Sequence, residues 1–144
     1  MPRLQCLDFI SGWAILENMN LKIVFKGLSL DARLNRSPTA QKIADALPIE
    51  GAANIWGDEI YFEIPVDALP EPGARREVAV GELGYWPEGK SFCIFFGRTP
   101  ASKDEKPRAY SEVNVIGRLL ETPADKLRAV KPGNKVKIEQ AKKS

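Results

Sequence analysis

The sequence contains no histidine and only two cysteines, Cys6 and Cys93. Without an imidazole the chain cannot form a Ser-His-Asp or Cys-His triad, a histidine metal site or an imidazole acid–base catalyst. The spacing of the cysteines fits no zinc, redox or disulfide framework, and no calcium-loop pattern occurs, so we expect no metal ion. Cys93 lies in the apolar run 92–96, where a thiol is expected to act as a small buried hydrophobic side chain.

Glycine-rich phosphate loops and long apolar runs are also missing from the sequence. Gly81, Gly84 and Gly89 match neither the dinucleotide-binding nor the Walker pattern, so we expect no nucleotide cofactor. No apolar run reaches the roughly 18 residues of a membrane-spanning helix, and polar residues interrupt the N-terminal apolar stretch where a signal peptide would need a continuous one. These features predict a cytoplasmic protein with no membrane span and no cofactor.

The formal net charge of +2 is too small to indicate a nucleic-acid partner. The charge is unevenly distributed, because residues 131–144 contain five lysines and one glutamate. Lysines discourage edge-to-edge strand pairing, so this segment predicts a solvated edge strand, followed by a basic tail over residues 140–144. Residues 1–20 precede the first clear alternating pattern, and we expect them to be an appendage or an extra strand.

The composition of the 144-residue chain predicts one packed domain over residues 21–139. Hydrophobic residues make up 44% and charged residues 28%, values typical of globular proteins rather than disordered ones. Short apolar or alternating runs separated by turn residues predict about eight strands. Closure of such a sheet removes exposed edges, so we expect a mostly antiparallel barrel.

Two short helices are predicted, one near each end of the chain. Ser37 and Pro38 suit the N-cap and the first helical position, apolar residues follow at helical spacing, and Pro48 ends the helix. The segment 122–125 has the form of a capping box and predicts a second helix through Leu127. We expect both helices to cap the sheet.

The most distinctive segment is 56–62, which combines aromatic and acidic residues. Gly57 and Asp58 form a two-residue hairpin loop, and the strand that follows alternates strictly. This alternation predicts that one set of side chains is core, namely Ile60, Phe62 and Ile64. The other set is expected to face solvent, namely Glu59, Tyr61 and Glu63.

We therefore predict a binding face built from aromatic rings with polar tips beside carboxylates. Such a face suits an apolar or cationic group. The alternative is that the rings cap the rim of the barrel and the glutamates are only solvated. The predicted residues are Trp56, Glu59, Tyr61, Tyr85 and Trp86.

Four motifs resemble a known family when they are taken together and in order. They are the segments 54–62, 84–90, 92–100 and 114–117. They are similar to the small uncharacterised cyclophilin-like proteins of bacteria and archaea. The resemblance covers residues 21–138 and implies a closed, mostly antiparallel eight-stranded cyclophilin-like barrel capped by two short helices.

The resemblance does not imply the cyclophilin reaction, because the Phe-His-Arg motif of authentic cyclophilins is missing. Val113 occupies the position of a cyclophilin histidine, whereas the run 92–96 resembles the strand that supplies part of the proline pocket. Within the four motifs, the resemblance adds further residues to the predicted binding set. They are Phe92, Phe95, Arg98, Thr99 and Asn114.

The leading hypothesis is a noncatalytic or weakly catalytic domain that binds a peptide segment or a small organic molecule. A second hypothesis is a peptidyl-prolyl isomerase in which Arg98 or Arg108 replaces the missing arginine and stabilises the twisted amide. A third is that the aromatic patch is a subunit interface of a homo-oligomer.

Overall fold

A computed structural model describes residues 19–141 as ten strands and two helices, with a short 3-10 turn at Pro87–Gly89. The strands are β1 Met19–Phe25, β2 Leu28–Leu34, β3 Ile49–Ala52, β4 Asn54–Ile55, β5 Glu59–Glu63, β6 Arg75–Glu77, β7 Glu82–Trp86, β8 Ser91–Phe95, β9 Arg108–Leu119 and β10 Lys135–Gln140. The helices are α1 Pro38–Ala46 and α2 Ala124–Arg128.

All strand pairs are antiparallel, and the hydrogen-bonded order is β3-β10-β1-β2-β9-β7-β8-β5-β4, with β6 paired to β9. The two ends of this order are nearly adjacent in the chain, because only Ala53 separates β3 from β4. The sheet must therefore curl until its ends approach each other. No ladder joins those ends within the described residues, so a mainly β antiparallel fold is confirmed, whereas a closed eight-stranded barrel is not.

The hairpin of β1 and β2 turns at Lys26 and Gly27, which separate two short apolar runs of the sequence. Gly27 has a φ of 79° in the two-residue turn, a conformation that glycine adopts without strain. Every second residue of both strands is buried, from Leu21 to Leu34. The hairpin therefore supplies one wall of the main hydrophobic core.

Strand β10 corrects the prediction of a solvated edge strand. It pairs with β1 on one side and with β3 on the other. Val136 and Ile138 are buried, while Lys135 and Lys137 are exposed on the opposite face. The lysines thus mark the solvated face of β10 and not a sheet edge. The second neighbour of β10 is β3, which has no clear strand pattern in the sequence.

Helix α1 is confirmed where it was predicted. The hydroxyl of Ser37 accepts a hydrogen bond from the backbone N–H of Ala40 at 3.2 Å, and Pro38 is the first helical residue. Ile43 is fully buried in the main core. Helix α2 also forms, but the predicted capping box is wrong, because Pro123 is the N-cap and makes no side-chain cap hydrogen bond.

Strand β8 is buried at every position and lies between β7 and β5, as expected of a central strand. Phe92 and Ile94 belong to the main core. Cys93 and Phe95 point to the opposite face, where Val78 helps to form a second hydrophobic cluster. The second face of this part of the sheet is therefore covered rather than open to solvent.

Other boundaries differ from the predicted ones. The sequence pattern predicts a strand over 77–80, but β6 ends at Glu77. Two prolines and several charged residues without periodicity predict a loop over 97–111, but β9 begins at Arg108. Met19 and Asn20 belong to β1, and the rest of the predicted appendage lies outside the described residues, as does most of the predicted tail. Neither helix of the described chain is long and apolar enough to cross a membrane.

Gly117 gives a test of the close contact between β2 and β9. A Cβ atom there would lie 2.1 Å from the carbonyl oxygen of Arg33 and 2.9 Å from the Cα of Leu34. Because both neighbours are backbone atoms, Gly117→Ala is expected to lower the free energy of unfolding by about 3 kcal/mol in urea denaturation.

Gly73→Ala is the matched control, because a Cβ atom at that position would meet no other atom within 4 Å. Its free energy of unfolding should stay within about 0.5 kcal/mol of wild type. Equal stability of the two variants would contradict the close approach of β2 and β9.

Candidate functional site

A cleft of about 140 Å³ opens on the second face of the sheet. Its walls come from the β4–β5 loop and from strands β5, β7 and β9. The residues that line it are Trp56, Glu59, Tyr61, Trp86, Ala109, Tyr110 and Val113. Four of the ten predicted site residues are thus brought together here.

Four aromatic rings form a continuous series along the cleft. The ring centroids of Tyr61 and Trp86 are 6.1 Å apart, those of Trp86 and Tyr110 6.0 Å, and those of Trp56 and Tyr110 6.2 Å. The interplanar angles are 85°, 76° and 77°, respectively, so each contact is edge-to-face. Successive rings along the cleft are therefore nearly perpendicular to each other.

Glu59 is the only carboxylic acid in the cleft lining and is 6% exposed. Its placement corrects the expectation that it faces solvent, although Glu63 on the same strand is exposed as predicted. Burial raises the pKa of Glu59 from 4.5 to about 7, and a hydrogen bond with the Cys93 side chain opposes this shift. No ion pair involves Glu59 within residues 19–141.

Cys93 lies beside Glu59 and is fully buried. Burial raises the pKa of its thiol well above the usual value, and the neighbouring Glu59 carboxyl raises it further. A thiol that stays protonated is a poor nucleophile. Cys93 therefore acts here as part of the hydrophobic cluster, in agreement with its sequence context.

The loop that carries Trp56 is fixed against residues 96–100. Gly57 has a φ of 62°, and a Cβ atom there would lie 2.8 Å from the Cδ of Pro100. The N–H of Asp58 donates to the carbonyl of Arg98 at 2.8 Å. The hydroxyl of Thr99 in turn donates to the carbonyl of Arg108 at 2.5 Å. This chain of contacts links the Trp56 loop to the start of β9, where Tyr110 lies.

Trp86 is positioned by a hydrogen bond and by close packing. Its indole N–H donates to the hydroxyl of Ser111 at 2.6 Å, and that hydroxyl donates to the carboxylate of Glu88 at 3.1 Å. Gly89 leaves room for the indole, because a Cβ atom there would lie 2.2 Å from the ring. Trp86 thus has a defined orientation although it is only partly buried.

Three predicted residues lie away from the cleft. Tyr85 and Phe92 are fully buried in the main core, and the Tyr85 hydroxyl donates to the carbonyl of Val66 at 2.5 Å. Asn114 is buried among polar groups, where its amide donates to the Thr39 hydroxyl and the Leu69 carbonyl. These residues join structural elements and do not face the cleft.

The other predicted residues support the cleft without lining it. Phe95 belongs to the hydrophobic cluster that Tyr61 and Trp86 pack against. Arg98 and Thr99 contact the neighbouring loops through their backbones, and the Arg98 guanidinium lies 3.5 Å from the Glu105 carboxylate. The Thr99 hydroxyl holds the start of β9 through the Arg108 carbonyl, and neither side chain lines the cleft.

The sequence reasoning missed three lining residues, Ala109, Tyr110 and Val113. All three lie in β9, whose first residues fell inside a predicted loop. Tyr110 is 66% exposed, which is unusual for a large aromatic side chain without a partner surface. The alternation of Ala109, Ser111 and Val113 with more polar neighbours was the signal that could have extended this strand.

The cleft has no composition suited to a metal ion. It offers a single carboxylate and no histidine or exposed thiol. Elsewhere in the part of the chain that the structure describes, no group of three or more Cys, Asp or Glu side chains could hold a metal.

Comparisons with known proteins agree with the fold. A family model described as cyclophilin-like matches residues 19–139. A solved structure, the solution structure of the hypothetical protein AF2241 from Archaeoglobus fulgidus, is 42% identical and has a TM-score of 0.73. The match covers 86% of this chain and 95% of the archaeal one. No curated protein matches the sequence.

Burial of Glu59 predicts a specific dependence of stability on pH. A carboxyl whose pKa is higher in the folded than in the unfolded state destabilises the fold as it is forced to ionise. Relative to Glu59→Gln, the wild-type free energy of unfolding is expected to fall by about 3 kcal/mol as pH rises from 4.5 to about 7, and then to level off.

Denaturant unfolding of both proteins across this range measures the difference. Glu63→Gln, which changes an exposed carboxylate on the same strand, is the matched control. Parallel pH profiles for wild type and Glu59→Gln would mean that Glu59 is not desolvated.

Proposed function

The chain belongs to the cyclophilin-like family, and we propose that it is a noncatalytic ligand-binding domain whose ligand, a peptide segment or a small molecule, occupies the aromatic cleft. The observation that supports this proposal is the convergence of four aromatic rings and one buried carboxyl on a single concave surface. Concave, mostly apolar sites with a few placed polar groups are the usual form of ligand sites.

Support also comes from the absence of a local structural reason for the exposed ring of Tyr110. A side chain that packs for stability is normally buried, yet Tyr110 is 66% exposed and contacts two other partly exposed rings, Trp56 and Trp86. Burial of these three rings by a ligand would remove a large apolar area from water. In the free protein the exposed part of these rings stays in contact with water, so it contributes little to the free energy of folding.

Binding accounts for the cleft better than catalysis does. A perturbed carboxyl such as Glu59 is suited to proton transfer, but acid–base chemistry normally employs a second group or an electrophilic stabiliser. The lining contains no lysine or arginine, its other ionisable side chains are two tyrosines, Tyr61 and Tyr110, and the neighbouring Cys93 thiol is buried and held protonated. A single carboxyl among aromatic rings is sufficient to orient a ligand.

Ligand binding is tested with ¹⁵N-labelled protein and a set of neutral, anionic and cationic small molecules together with short peptides. Compounds that bind are expected to shift the resonances of Trp56, Tyr61 and Trp86. Tyr110→Ala should weaken their affinity by about tenfold, because loss of one aromatic contact costs about 1 kcal/mol or more.

Leu69→Ala is the control, since Leu69 is the most exposed large hydrophobic side chain of the described residues and lies outside the cleft. It should bind as wild type does. If no compound of any class shifts the cleft resonances, or if Tyr110→Ala binds unchanged, the proposal is wrong.

The isomerase hypothesis makes a separate prediction. A replacement arginine would have to reach the bound amide, but neither Arg98 nor Arg108 lines the cleft, and Arg98 lies against Glu105. We therefore expect a proline-peptide assay at high protein concentration to show only the thermal isomerisation rate. Acceleration that is lost in Arg98→Ala or Arg108→Ala would instead establish the isomerase.

A further inference from the structure

We propose that the group held in the cleft is a methylated ammonium, enclosed by the rings of Trp56, Tyr61, Trp86 and Tyr110 with the Glu59 carboxylate as its counter-charge. The inference rests on the proposed function and adds the chemical class of the ligand. Its basis is the shape of the cleft, its charge and its supply of hydrogen-bonding groups.

The shape of the cleft favours a compact, rounded group. Each contact between successive rings is close to perpendicular, with interplanar angles from 76° to 85°. None of these contacts therefore forms a parallel slot for a flat ligand. The cleft volume of about 140 Å³ is close to the roughly 150 Å³ of an apolar protein cavity that binds benzene, a ligand of similar size to the proposed group. A trimethylammonium group with its attached methylene has that size.

The charge of the cleft favours a cation. Glu59 is buried and lacks a positively charged partner within the described residues, and the cleft lining contains no lysine or arginine. Arg128 of α2, which reaches the loop that carries Trp56, is paired with Asp58 at 3.0 Å. A buried carboxylate is costly without a cation, and aromatic faces attract cations by their quadrupole.

The hydrogen-bonding groups favour a methylated ammonium over a primary one. A primary ammonium brings three N–H donors, each of which needs an acceptor when water is displaced. Ala109 and Val113 offer none from their side chains, and the Trp86 indole is a donor already used by Ser111. The only acceptors among the lining side chains are Glu59 and the hydroxyls of Tyr61 and Tyr110, so a primary ammonium would have to engage all three residues at once. Methyl groups fit such a surface without leaving donors unpaired.

The proposed ligand should be coupled to the protonation of Glu59. Cys93 from β8 interacts with this carboxyl, the other titratable side chains that line the cleft are Tyr61 and Tyr110, and none of the three is cationic. Burial raises the pKa of Glu59 to about 7, so only about half of the molecules carry the negative charge at neutral pH. A cation binds the ionised form, so its affinity should increase with pH.

Three probes of similar size separate the alternatives: choline, ethanolamine, and the uncharged isostere of choline in which tert-butyl replaces trimethylammonium. Isothermal titration should show that choline binds at least about tenfold more tightly than either of the others. Its affinity should be about tenfold higher near pH 8 than near pH 6, because the ionised fraction of Glu59 changes by that factor.

Two variants test the roles of the named residues. Glu59→Gln should weaken choline binding near pH 8 by about tenfold and remove its pH dependence, while Trp56→Ala should weaken binding and keep the pH dependence. Leu69→Ala should behave as wild type in both respects. The NMR spectrum of each variant is recorded first to confirm that the variant is folded.

Other results overturn the inference in distinguishable ways. Equal binding of the tert-butyl isostere would make the cleft an apolar site, and equal binding of ethanolamine would remove the preference for methyl groups. If the affinity for choline falls with rising pH, the ionised Glu59 carboxylate is not its counter-charge. Protonated Glu59 would then suit a neutral ligand to which it donates a hydrogen bond. In each of these cases the cleft still binds a ligand; if none of the probes binds and the wider compound set also fails, the proposed function itself is wrong.

Discussion

Strand β8 imposes the constraint on which the rest of the structure depends, because it is buried on both faces. Alternate side chains of a strand must point to opposite sides of the sheet. Phe92 and Ile94 therefore enter the main core, while Cys93 and Phe95 enter the second cluster. The two clusters cannot be changed independently, since a shift of register by one residue would exchange their members.

The candidate site is a consequence of this second cluster. Strand β6 and the segment that follows it place Val78 over the outer face of the sheet, and Gly84 allows Val113 and Phe95 to approach one another closely. Glu59 lies directly opposite Phe95 in the β5–β8 pairing and is covered as a result. The raised pKa of Glu59 therefore comes from long-range packing and not from the composition of its own strand.

The sequence predicted local features well because their causes are local. Ser37 and Pro38 begin α1 through capping, and the alternation of Ile60 and Phe62 assigns the core face of β5, with no need of distant residues. The exposure of Glu59 was mispredicted because alternation indicates on which face of the sheet a side chain lies, but not which residues cover that face. The position of β10 between two strands was missed for a similar reason, as its partner β3 is far away in the sequence.

Some errors at the site were avoidable and others were not. Tyr85 and Trp86 are consecutive in β7, so their side chains point to opposite faces of the sheet, and only Trp86 lies at the cleft. The alternation over 109–113 could have extended β9 to include Tyr110, but the position of Tyr110 at the cleft depends on the pairing of β9 with β6 and β7, which the sequence alone does not indicate. A residue in a predicted loop can be assigned to a site only when the strands that pair with its segment are known.

The cleft also has the rigidity that selective binding needs. Trp56 is tied through Gly57 and Asp58 to the 96–100 segment, and Thr99 ties that segment to the start of β9. Trp86 is held by its hydrogen bond to Ser111. Rings that are fixed before a ligand arrives lose little conformational entropy on binding, so more of the contact energy is available as affinity. The proposed binding function therefore depends also on supporting residues that do not line the cleft.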